Sequence, residues 1–365
     1  MNKSVIVAIS GGVDSAVAAL LLQQQGFDVS GMFMKNWEED DDPANNYCNA
    51  TKDLEDAEQI CKILNIKLHK VNFATEYWDK VFKIFLAEYK AGRTPNPDIL
   101  CNKEIKFKVF LDYAKKLKAD IIATGHYARI IKKNNKNYLL TAIDHNKDQS
   151  YFLHALNQEQ LHDCIFPLGE LTKSQVRKIA QQAGFNNYNK KDSTGICFIG
   201  ERKFKEFLKN YLPNNPGLII NDIGQVIGKH DGLMYYTIGQ RKGLKIGGQA
   251  KYLGAHQPWY VINKDLENNR LIVTTGNNNQ QLFTNQIVAT NEHWINKKAV
   301  NTQIPLTAKI RYRQQSQSCS IININANELL ITFEQKQRAV SPGQFVVFYQ
   351  EEYCLGGAVI KQAIH

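Results

Sequence analysis

The chain has 365 residues, of which 43% are hydrophobic and 22% are charged. This composition is typical of a globular protein of two or three domains and excludes intrinsic disorder. The apolar runs are too short for a membrane-spanning helix, and the N-terminal residues resemble neither a signal peptide nor a transit peptide, so we expect a cytoplasmic protein. The net charge of +10 favours an anionic partner.

Residues 1–205 alternate short apolar runs with helical patterns, which predicts strands separated by helices. Repeated strand–helix–strand units indicate an α/β domain with an open parallel sheet and helices on both faces. The predicted strands are residues 5–10, 29–34, 67–73 and 120–124, and the predicted helices are residues 14–25, 53–64, 77–90 and 103–118.

Beyond residue 205, short apolar runs separated by Gly, Asn and Pro replace the helical patterns. Residues 206–280 are interpreted as a small central or linker domain, and residues 281–365 as a small barrel or sandwich of strands joined by tight turns. The strands predicted in this last part are residues 309–315, 329–333, 344–349 and 354–359.

The sequence Ser-Gly-Gly-Val-Asp-Ser at residues 10–15, called here the glycine loop, lies between the first predicted strand and the first predicted helix. Ligands of open parallel sheets bind beyond the carboxyl ends of the strands. Two glycines permit a tight turn whose N–H groups, together with the helix N-terminus and two serine hydroxyls, can bind a phosphate. The spacing matches neither a Walker A loop nor G-x-G-x-x-G. The structural alternative is a plain glycine turn with an aspartate helix cap.

The cysteines show no C-x-x-C spacing and are odd in number, which excludes a disulfide framework in a reducing compartment and a zinc ribbon. We therefore expect no metal site built from them, and a cysteine that matters here is expected to be a nucleophile. The seven are Cys48, Cys61, Cys101, Cys164, Cys197, Cys319 and Cys354.

Two of these cysteines lie in segments rich in glycine or proline, which favours a transient bond between them. Cys101 is expected at the start of a helix, where the helix dipole, Lys103 and Lys106 would stabilise its thiolate. Asp98 precedes it by three positions and is near enough to transfer a proton. Taken alone, a single cysteine is more often a small buried apolar residue than a nucleophile. Cys197 stands on a glycine-flanked turn.

Eight segments, spread along nearly the whole chain, resemble the tRNA-specific 2-thiouridylase family. They are SGGVDS (10–15), GMFMKNW (31–37), AGRTPNPDILCNKEIKFK (91–108), ATGHYAR (123–129), NKDQSYFL (146–153), KKDSTGICFIGE (190–201), YTIGQRKGLKIGG (236–248) and KIRYRQ (309–314). The glycine loop is also similar to the pyrophosphatase loop of enzymes that split ATP into AMP and pyrophosphate. The resemblance implies an adenine nucleotide alpha-hydrolase-like domain over residues 1–205, a small central domain over 206–280 and an antiparallel β-barrel that contacts tRNA over 281–365.

The resemblance further implies ATP-dependent 2-thiolation of the wobble uridine in the anticodon arm of tRNA, with Mg²⁺ on the phosphates of ATP. Adenylation of the C2 oxygen would make it a leaving group, and a persulfide on Cys197 would supply the sulfur. Either the persulfide itself or hydrogen sulfide released from it would attack C2. Cys101 matches the family's nucleophile, and Asp98 is the candidate for proton transfer. A sulfur-carrier or cysteine-desulfurase relay protein is the expected donor, and a monomer is the expected state.

Matching residue by residue, the resemblance assigns ligand contacts in three sets. The residues expected to contact ATP are Ala8, Ile9, Ser10, Gly11, Gly12, Val13, Asp14, Ser15, Met34 and Gly125. Those expected to meet the target base are Asn96, Pro97 and Asp98. Those expected to contact the rest of the tRNA are His126, Lys147, Asp148, Gln149, Arg311, Tyr312 and Gln344.

Other interpretations stay open at this point. One is an ATP pyrophosphatase that attacks with an amine, which needs no paired cysteines, and another is a non-catalytic RNA-binding protein, which leaves the glycine loop unused. His126 could simply satisfy backbone groups after a buried strand. The acidic run at residues 38–42 opposes RNA binding and is interpreted as a solvated loop.

Overall fold

The computed structural model describes residues 2–37, 49–191, 204–246, 257–296 and 305–365. Cys48, Cys197 and the acidic run therefore lie outside the described residues. In these ranges the strands, in chain order, are β1 (Ser4–Ala8), β2 (Asp28–Lys35), β3 (Leu68–Asn72), β4 (Ile121–Ala123), β5 (Ala128–Lys133), β6 (Lys136–Thr141), β7 (Cys164–Ile165), β8 (Gly217–Asn221), β9 (Val226–His230), β10 (Trp259–Asp265), β11 (Arg270–Thr275), β12 (Phe283–Trp294), β13 (Thr307–Lys309), β14 (Gln317–Asn325), β15 (Glu328–Arg338), β16 (Phe345–Gln350) and β17 (Tyr353–Ile364).

The N-terminal domain is built on a five-stranded sheet of order β3-β2-β1-β4-β7, in which every neighbouring pair is parallel. The middle residues of β1 are fully buried, because helices cover both faces of such a sheet. The predicted open parallel sheet is thus confirmed. The helices of this part are α1 (Val13–Gln24), α2 (Asn49–Leu64), α3 (74–90), α4 (97–116), α5 (Ser150–Leu153), α6 (Gln158–His162) and α7 (Lys173–Gln182), and α8 (Phe204–Lys209) follows.

Two of these helices contain a π-helical segment. In α3 it is Trp78–Phe82, and in α4 it is Cys101–Val109. The buried amide of Gln160, on α6, donates hydrogen bonds of 3.0 and 2.9 Å to the carbonyl oxygens of Lys103 and Phe107. Such an inserted donor accounts for the altered ladder in α4, and π-segments are often found at functional sites.

The prediction that α4 begins near Lys103 was wrong by about two turns. The helix begins at Pro97, with Asn96 as the N-cap residue. Proline suits the first position of a helix because its missing N–H would have no intrahelical partner there. Cys101 therefore lies in the second turn of the helix rather than at its start.

The C-terminal part forms two sheets. The central one has the order β10-β11-β8-β9 and combines antiparallel pairs with a parallel β11–β8 pair. The last six strands, in the order β12-β15-β14-β13-β16-β17, close through antiparallel pairing of β12 with β17 and form a barrel. The choice between barrel and sandwich is thereby settled in favour of a barrel.

The predicted strand at residues 309–315 was wrong beyond Lys309. The chain leaves β13 there and turns through Arg313, whose φ of +64° is rare for a residue with a side chain and incompatible with a strand. The hairpin of β5 and β6 was missed. Its turn, Asn134 and Asn135, has positive φ at both positions, as type I′ hairpins require.

This hairpin connects the N-terminal half of the chain to the C-terminal barrel. β6 pairs with β17, Tyr353 lying opposite Leu140 and Cys354 opposite Leu139, so that the barrel sheet extends into the N-terminal half. Among the described helices, none combines the length and apolar character that crossing a bilayer requires.

His154 is buried where α5 meets the barrel. Its Nδ1–H donates to the carbonyl oxygen of Tyr151 at 2.8 Å, and its ring packs on Phe345. A Cβ on Gly357 of β17 would lie 2.6 Å from the His154 ring, so glycine is required there. Burial lowers the pKa of His154 from 6.5 to about 4, and the nearby His293 and Lys103 add to this effect.

The lowered pKa of His154 predicts loss of stability in acid. Because the unfolded chain binds a proton that the folded protein rejects, the free energy of unfolding should fall as the pH decreases from 6.5 to about 4, by about 3 kcal/mol from this group alone. His154→Gln keeps a donor and does not titrate, so it should lose less stability over this range in urea unfolding. The exposed His145→Gln should keep the wild-type pH dependence, and equal slopes for all three proteins would contradict the prediction.

Candidate active site

The glycine loop turns at the carboxyl end of β1 and leads directly into α1. Gly11 has a φ of +73°, and a Cβ there would lie 2.4 Å from the backbone oxygen of Asp53 in α2. Gly12 is the N-cap residue of α1, and within the described residues no side chain caps this helix. The first N–H groups of α1 therefore carry the partial positive charge of a helix N-terminus.

The two serines of the loop are bonded within it. Ser15 Oγ donates to the carbonyl oxygen of Gly12 at 3.0 Å and accepts from the N–H of Ser10 at 3.2 Å. These bonds hold the turn in shape. Both hydroxyls stay predicted phosphate contacts, and the Ser15 hydroxyl also braces the loop.

The other predicted ATP contacts lie at the same edge of the sheet. Ala8 and Ile9 are at the end of β1, where the N–H of Ile9 bonds the carbonyl oxygen of Met32 at 2.9 Å. Met34 lies near the carboxyl end of β2. Gly125 follows β4, and a Cβ there would lie 2.8 Å from backbone atoms of Asp14 and Ser15. The structure thus brings the first turn of α1 and three strand ends together.

The close approach of Gly125 to α1 predicts the effect of a single methyl group. Gly125→Ala should lower the free energy of unfolding by about 1–3 kcal/mol, because the methyl group would overlap helix backbone that cannot rotate away. Gly228→Ala is the matched control, since its Cβ would meet nothing nearer than 3.6 Å. Chemical denaturation of both variants measures the difference, and equal stability would contradict the prediction.

Asp14 takes part in an ion pair that sequence reasoning missed. Lys173, the first residue of α7 and 9% exposed, reaches both carboxylate oxygens of Asp14 at 2.7 and 2.8 Å. The hydroxyl of Tyr127 donates to the same carboxylate at 2.8 Å. Because this carboxylate faces Lys173 and Tyr127, the alternative of an aspartate helix cap is not what the structure shows. The partners are 159 positions apart, so no local pattern reveals the pair.

A second lysine fixes the chain beside the glycine loop. Lys190 Nζ donates to Asp53 at 2.8 Å, to Asp56 at 2.6 Å and more weakly to the carbonyl oxygen of Gly11 at 3.4 Å. The amide of Asn187 donates to the same carbonyl at 3.0 Å. The chain just before the Cys197 segment is therefore held at the loop, although Cys197 itself lies outside the described residues.

Asp98 and Cys101 lie on successive turns at the beginning of α4. Cys101 is 3% exposed and packs in the main hydrophobic core. Burial raises the pKa of the Asp98 carboxyl, and Lys106 partly opposes this effect. A raised pKa favours the protonated form of a carboxyl and suits it to proton transfer. The neighbouring Asn102 donates to the carbonyl oxygen of Phe152 at 3.1 Å and ties α4 to α5.

Three of the predicted tRNA contacts have side chains turned inward. His126 is buried against Phe107 and Phe166, and its Nδ1 lies 2.7 Å from the hydroxyl oxygen of Thr124. Burial holds the pKa of His126 well below the usual value, and the charge of Lys106 adds to this effect. Gln149 accepts from the N–H of Tyr127 at 2.9 Å.

The carboxylate of Asp148 is bonded within the protein. Its carboxylate is 4% exposed and accepts from the N–H of Ala142, from both donors of Ser150 and from Lys309 Nζ at 3.1 Å. These bonds hold the loop in shape, and the contact of Asp148 with tRNA stays a prediction. Lys147, on the same loop, stays a predicted contact.

Arg311 and Tyr312 line a cavity of about 320 Å³ at the rim of the barrel, together with Arg313 and Arg338. Burial lowers the pKa of Arg311, and the neighbouring Arg338 adds to the effect. Arg311 donates to the backbone oxygen of Ala339 at 2.8 Å, while Arg338 Nε is buried without a hydrogen-bond partner among the described residues. Three guanidinium groups around one cavity are suited to an anion. Arg313 was missed because the turn in which it lies was predicted as a strand. Arg338 was missed because it lies at the end of β15, beyond the strand predicted at residues 329–333.

The carboxylates near the glycine loop are already paired with Lys173 and Lys190. In the part of the chain that the structure describes, no three His, Cys, Asp or Glu side chains gather as metal ligands. A cation at this edge would therefore depend on oxygen ligands from a bound substrate, as Mg²⁺ commonly does.

Comparison with known proteins agrees with this architecture. Residues 3–201 match a family model described as tRNA methyl transferase HUP domain, residues 205–275 its PRC-barrel domain and residues 284–360 an aminomethyltransferase beta-barrel domain. The fold and the loop thus define a HUP-domain enzyme joined to a barrel.

Full-length relatives identify the family. The tRNA-specific 2-thiouridylase MnmA of Colwellia psychrerythraea is 55% identical, over 100% of this chain and 97% of that protein. The proteins of the same name from Histophilus somni and Pseudomonas fluorescens are each 57% identical, covering 100% and 99% of this chain and 94% and 96% of their own. The chain belongs to the tRNA-specific 2-thiouridylase family. A solved 4-thiouridine synthetase–RNA complex with bound ATP is 16% identical with a TM-score of 0.36, over 57% of this chain and 49% of that one, which is too remote to support an argument.

Proposed function

We propose that this chain is a tRNA sulfurtransferase that replaces the C2 oxygen of the wobble uridine with sulfur at the expense of ATP. The observation that carries the proposal is the full-length identity of 55–57% to proteins named tRNA-specific 2-thiouridylase. The geometry of the glycine loop and the position of Cys101 on α4 support it. The domain limits 1–205, 206–280 and 281–365 belong to the same proposal.

The residues present suit ATP at the carboxyl edge of the parallel sheet. The uncapped start of α1 and the left-handed Gly11 offer backbone N–H groups to the phosphates. Bound there with Mg²⁺, ATP would supply the adenylyl group that turns the C2 oxygen of uracil into a leaving group. The lysine partners of Asp14, Asp53 and Asp56 keep carboxylate charge from repelling the phosphates.

Sulfur transfer needs two cysteines in sequence. The terminal sulfur of a Cys197 persulfide attacks C2 and displaces AMP, which forms a disulfide link between the base and the enzyme. The Cys101 thiolate then attacks the Cys197 sulfur, the base leaves as the thiocarbonyl, and a Cys101–Cys197 disulfide remains. Two cysteine thiols are oxidised as the sulfane sulfur is reduced, so an external thiol must reset the enzyme, and a sulfur relay protein would reload Cys197.

Asp98 is the residue we assign to proton transfer at the base. Burial raises its pKa, which favours the protonated form and suits the carboxyl to giving up and taking back a proton. Uracil in an anticodon loop must be unstacked to reach these residues, as RNA readers commonly require. Asn96 and Pro97 precede Asp98 at the helix start, where they would border the base.

The test of the function is mass spectrometry of nucleosides from tRNA incubated with the protein, ATP, Mg²⁺ and a persulfide donor. We expect a uridine heavier by the difference between sulfur and oxygen, absent for Cys101→Ser and Cys197→Ser. Asp98→Asn should lower the rate roughly 10²- to 10⁴-fold. Cys319→Ser, on β14 of the barrel, is the matched control and should retain activity.

Other products would redirect the proposal. AMP formation without a mass change would mean that the nucleophile is not sulfur. Neither AMP nor product would favour a non-catalytic RNA-binding protein.

The cavity lined by Arg311, Arg313 and Arg338 predicts a salt-dependent contact with tRNA phosphates. Arg313→Gln and Arg338→Gln should each weaken tRNA binding, and each should reduce the slope of log Kd against log salt by about 0.7–0.9, because one released counterion is lost. Lys62→Gln removes the same charge from an exposed position of α2 and should leave the slope unchanged. Equal slopes for the arginine variants and wild type, measured by fluorescence anisotropy, would exclude the cavity as a phosphate site.

A further inference from the structure

Residues 92–95, called here the connecting segment, join α3 to α4 and lead directly into Asn96, Asp98 and Cys101. The connecting segment belongs to the N-terminal domain in sequence. Its backbone, however, is contacted by side chains and backbone from both of the other domains.

The central domain contacts the first half of the connecting segment. Lys264 of β10 donates from Nζ to the carbonyl oxygen of Gly92 at 2.8 Å. Leu266 follows the same strand, and its Cδ2 would lie only 2.6 Å from a Cβ placed on Gly92. Thr94 Oγ1 lies 3.3 Å from Thr237 Oγ1. A side chain at position 92 would displace this contact.

The barrel contacts the second half of the segment. The N–H of Thr94 donates to the carbonyl oxygen of Pro342 at 2.8 Å. Gln344 Nε2 donates to the carbonyl oxygens of Thr94 at 2.8 Å and Pro95 at 3.2 Å. Gly343 approaches the backbone of Thr94 so closely that a Cβ would lie 3.0 Å from its N and O. The Gln344 amide, predicted to contact tRNA, is thus engaged by the protein itself.

Lys264 is an unusual residue for such a position. Burial lowers the pKa of its ammonium group to about 8, and no carboxylate lies within ion-pair distance of it in the described ranges. Desolvating a cation for one carbonyl contact is costly. A neutral side chain of similar length would fill the space at a lower free-energy cost of desolvation. The bond from Lys264 to Gly92 therefore indicates that the position of this carbonyl matters.

We propose that Lys264 and Gln344 are positioning residues for the thiolation reaction. They hold the connecting segment from two sides and thereby set where the first turns of α4 place Asp98 and Cys101. This inference rests on the proposed function. It means that the central domain and the barrel complete the active site through the backbone of the connecting segment, in addition to any contact with tRNA.

The test compares Lys264→Met, Lys264→Arg and Gln344→Ala with Lys229→Met, a control at an exposed lysine of β9 in the same central sheet. Thiolation kinetics and hydrogen–deuterium exchange of residues 93–101 without tRNA are measured on the full chain. We expect faster exchange in Lys264→Met and Gln344→Ala, kcat lower by roughly 10- to 100-fold, and KM for ATP unchanged, because misplaced reacting groups affect kcat. Lys264→Arg, which keeps a donor, should recover part of kcat.

Several outcomes would overturn the inference. Unchanged exchange and unchanged kcat would show that the contacts do not position α4, and faster exchange with unchanged kcat would show that the position is unimportant for the reaction. A loss of kcat proportional to the loss of folded protein in thermal denaturation would show a merely structural role. If the wild-type protein makes no thiouridine while the variants still exchange faster, the proposed function would be refuted. The contacts to the connecting segment would then still stand.

Discussion

The arrangement of the site depends on how closely backbone segments approach one another at the carboxyl edge of the parallel sheet. Gly11 lies against the backbone oxygen of Asp53, and Gly125 lies against the first turn of α1. A side chain at either position would separate α1 from its neighbours. The N–H groups available to a phosphate are therefore placed by backbone packing, and the Ser15 hydroxyl braces the turn.

Charge around the loop is balanced by lysines that come from one later part of the chain. Lys173 pairs with Asp14, and Lys190 pairs with Asp53 and Asp56. Partly buried pairs of this kind contribute little net stability, because desolvation offsets their attraction. These pairs have two more useful effects. They keep α7 and the chain that follows it beside the loop, and they neutralise carboxylate charge where phosphates would bind.

The elements predicted well from the sequence are those specified by local pattern. Apolar runs identify β1, β2, β3 and β4, and the glycine loop is visible as a turn between a strand and a helix. The start of α4 was missed because the helix was predicted to begin at residue 103, although Pro97 suits the first turn of a helix. The turn through Arg313 was missed because an alternating pattern does not reveal a left-handed residue.

The contacts that assemble the site could not be predicted in the same way. The partner of Asp14 is 159 positions distant, and the inward orientation of Asp148 depends on Lys309, which belongs to the barrel. Gln344 illustrates the limit most clearly, because family resemblance assigns the residue to the substrate while the folded chain uses its amide on Thr94 and Pro95. Such assignments require tertiary structure, since the sequence alone does not show which of many possible partners a side chain contacts in the folded chain.

The shared sheet has a consequence for how the chain can be made and divided. β6 belongs to the N-terminal half by sequence, yet one of its edges is covered only when β17 pairs with it. On the ribosome β6 is synthesised long before β17, so the nascent N-terminal half carries an uncovered strand edge, a known template for aggregation. A fragment cut at residue 205 would expose the same edge permanently. The barrel thus covers a strand edge of the N-terminal half that would otherwise be open to pairing with another chain.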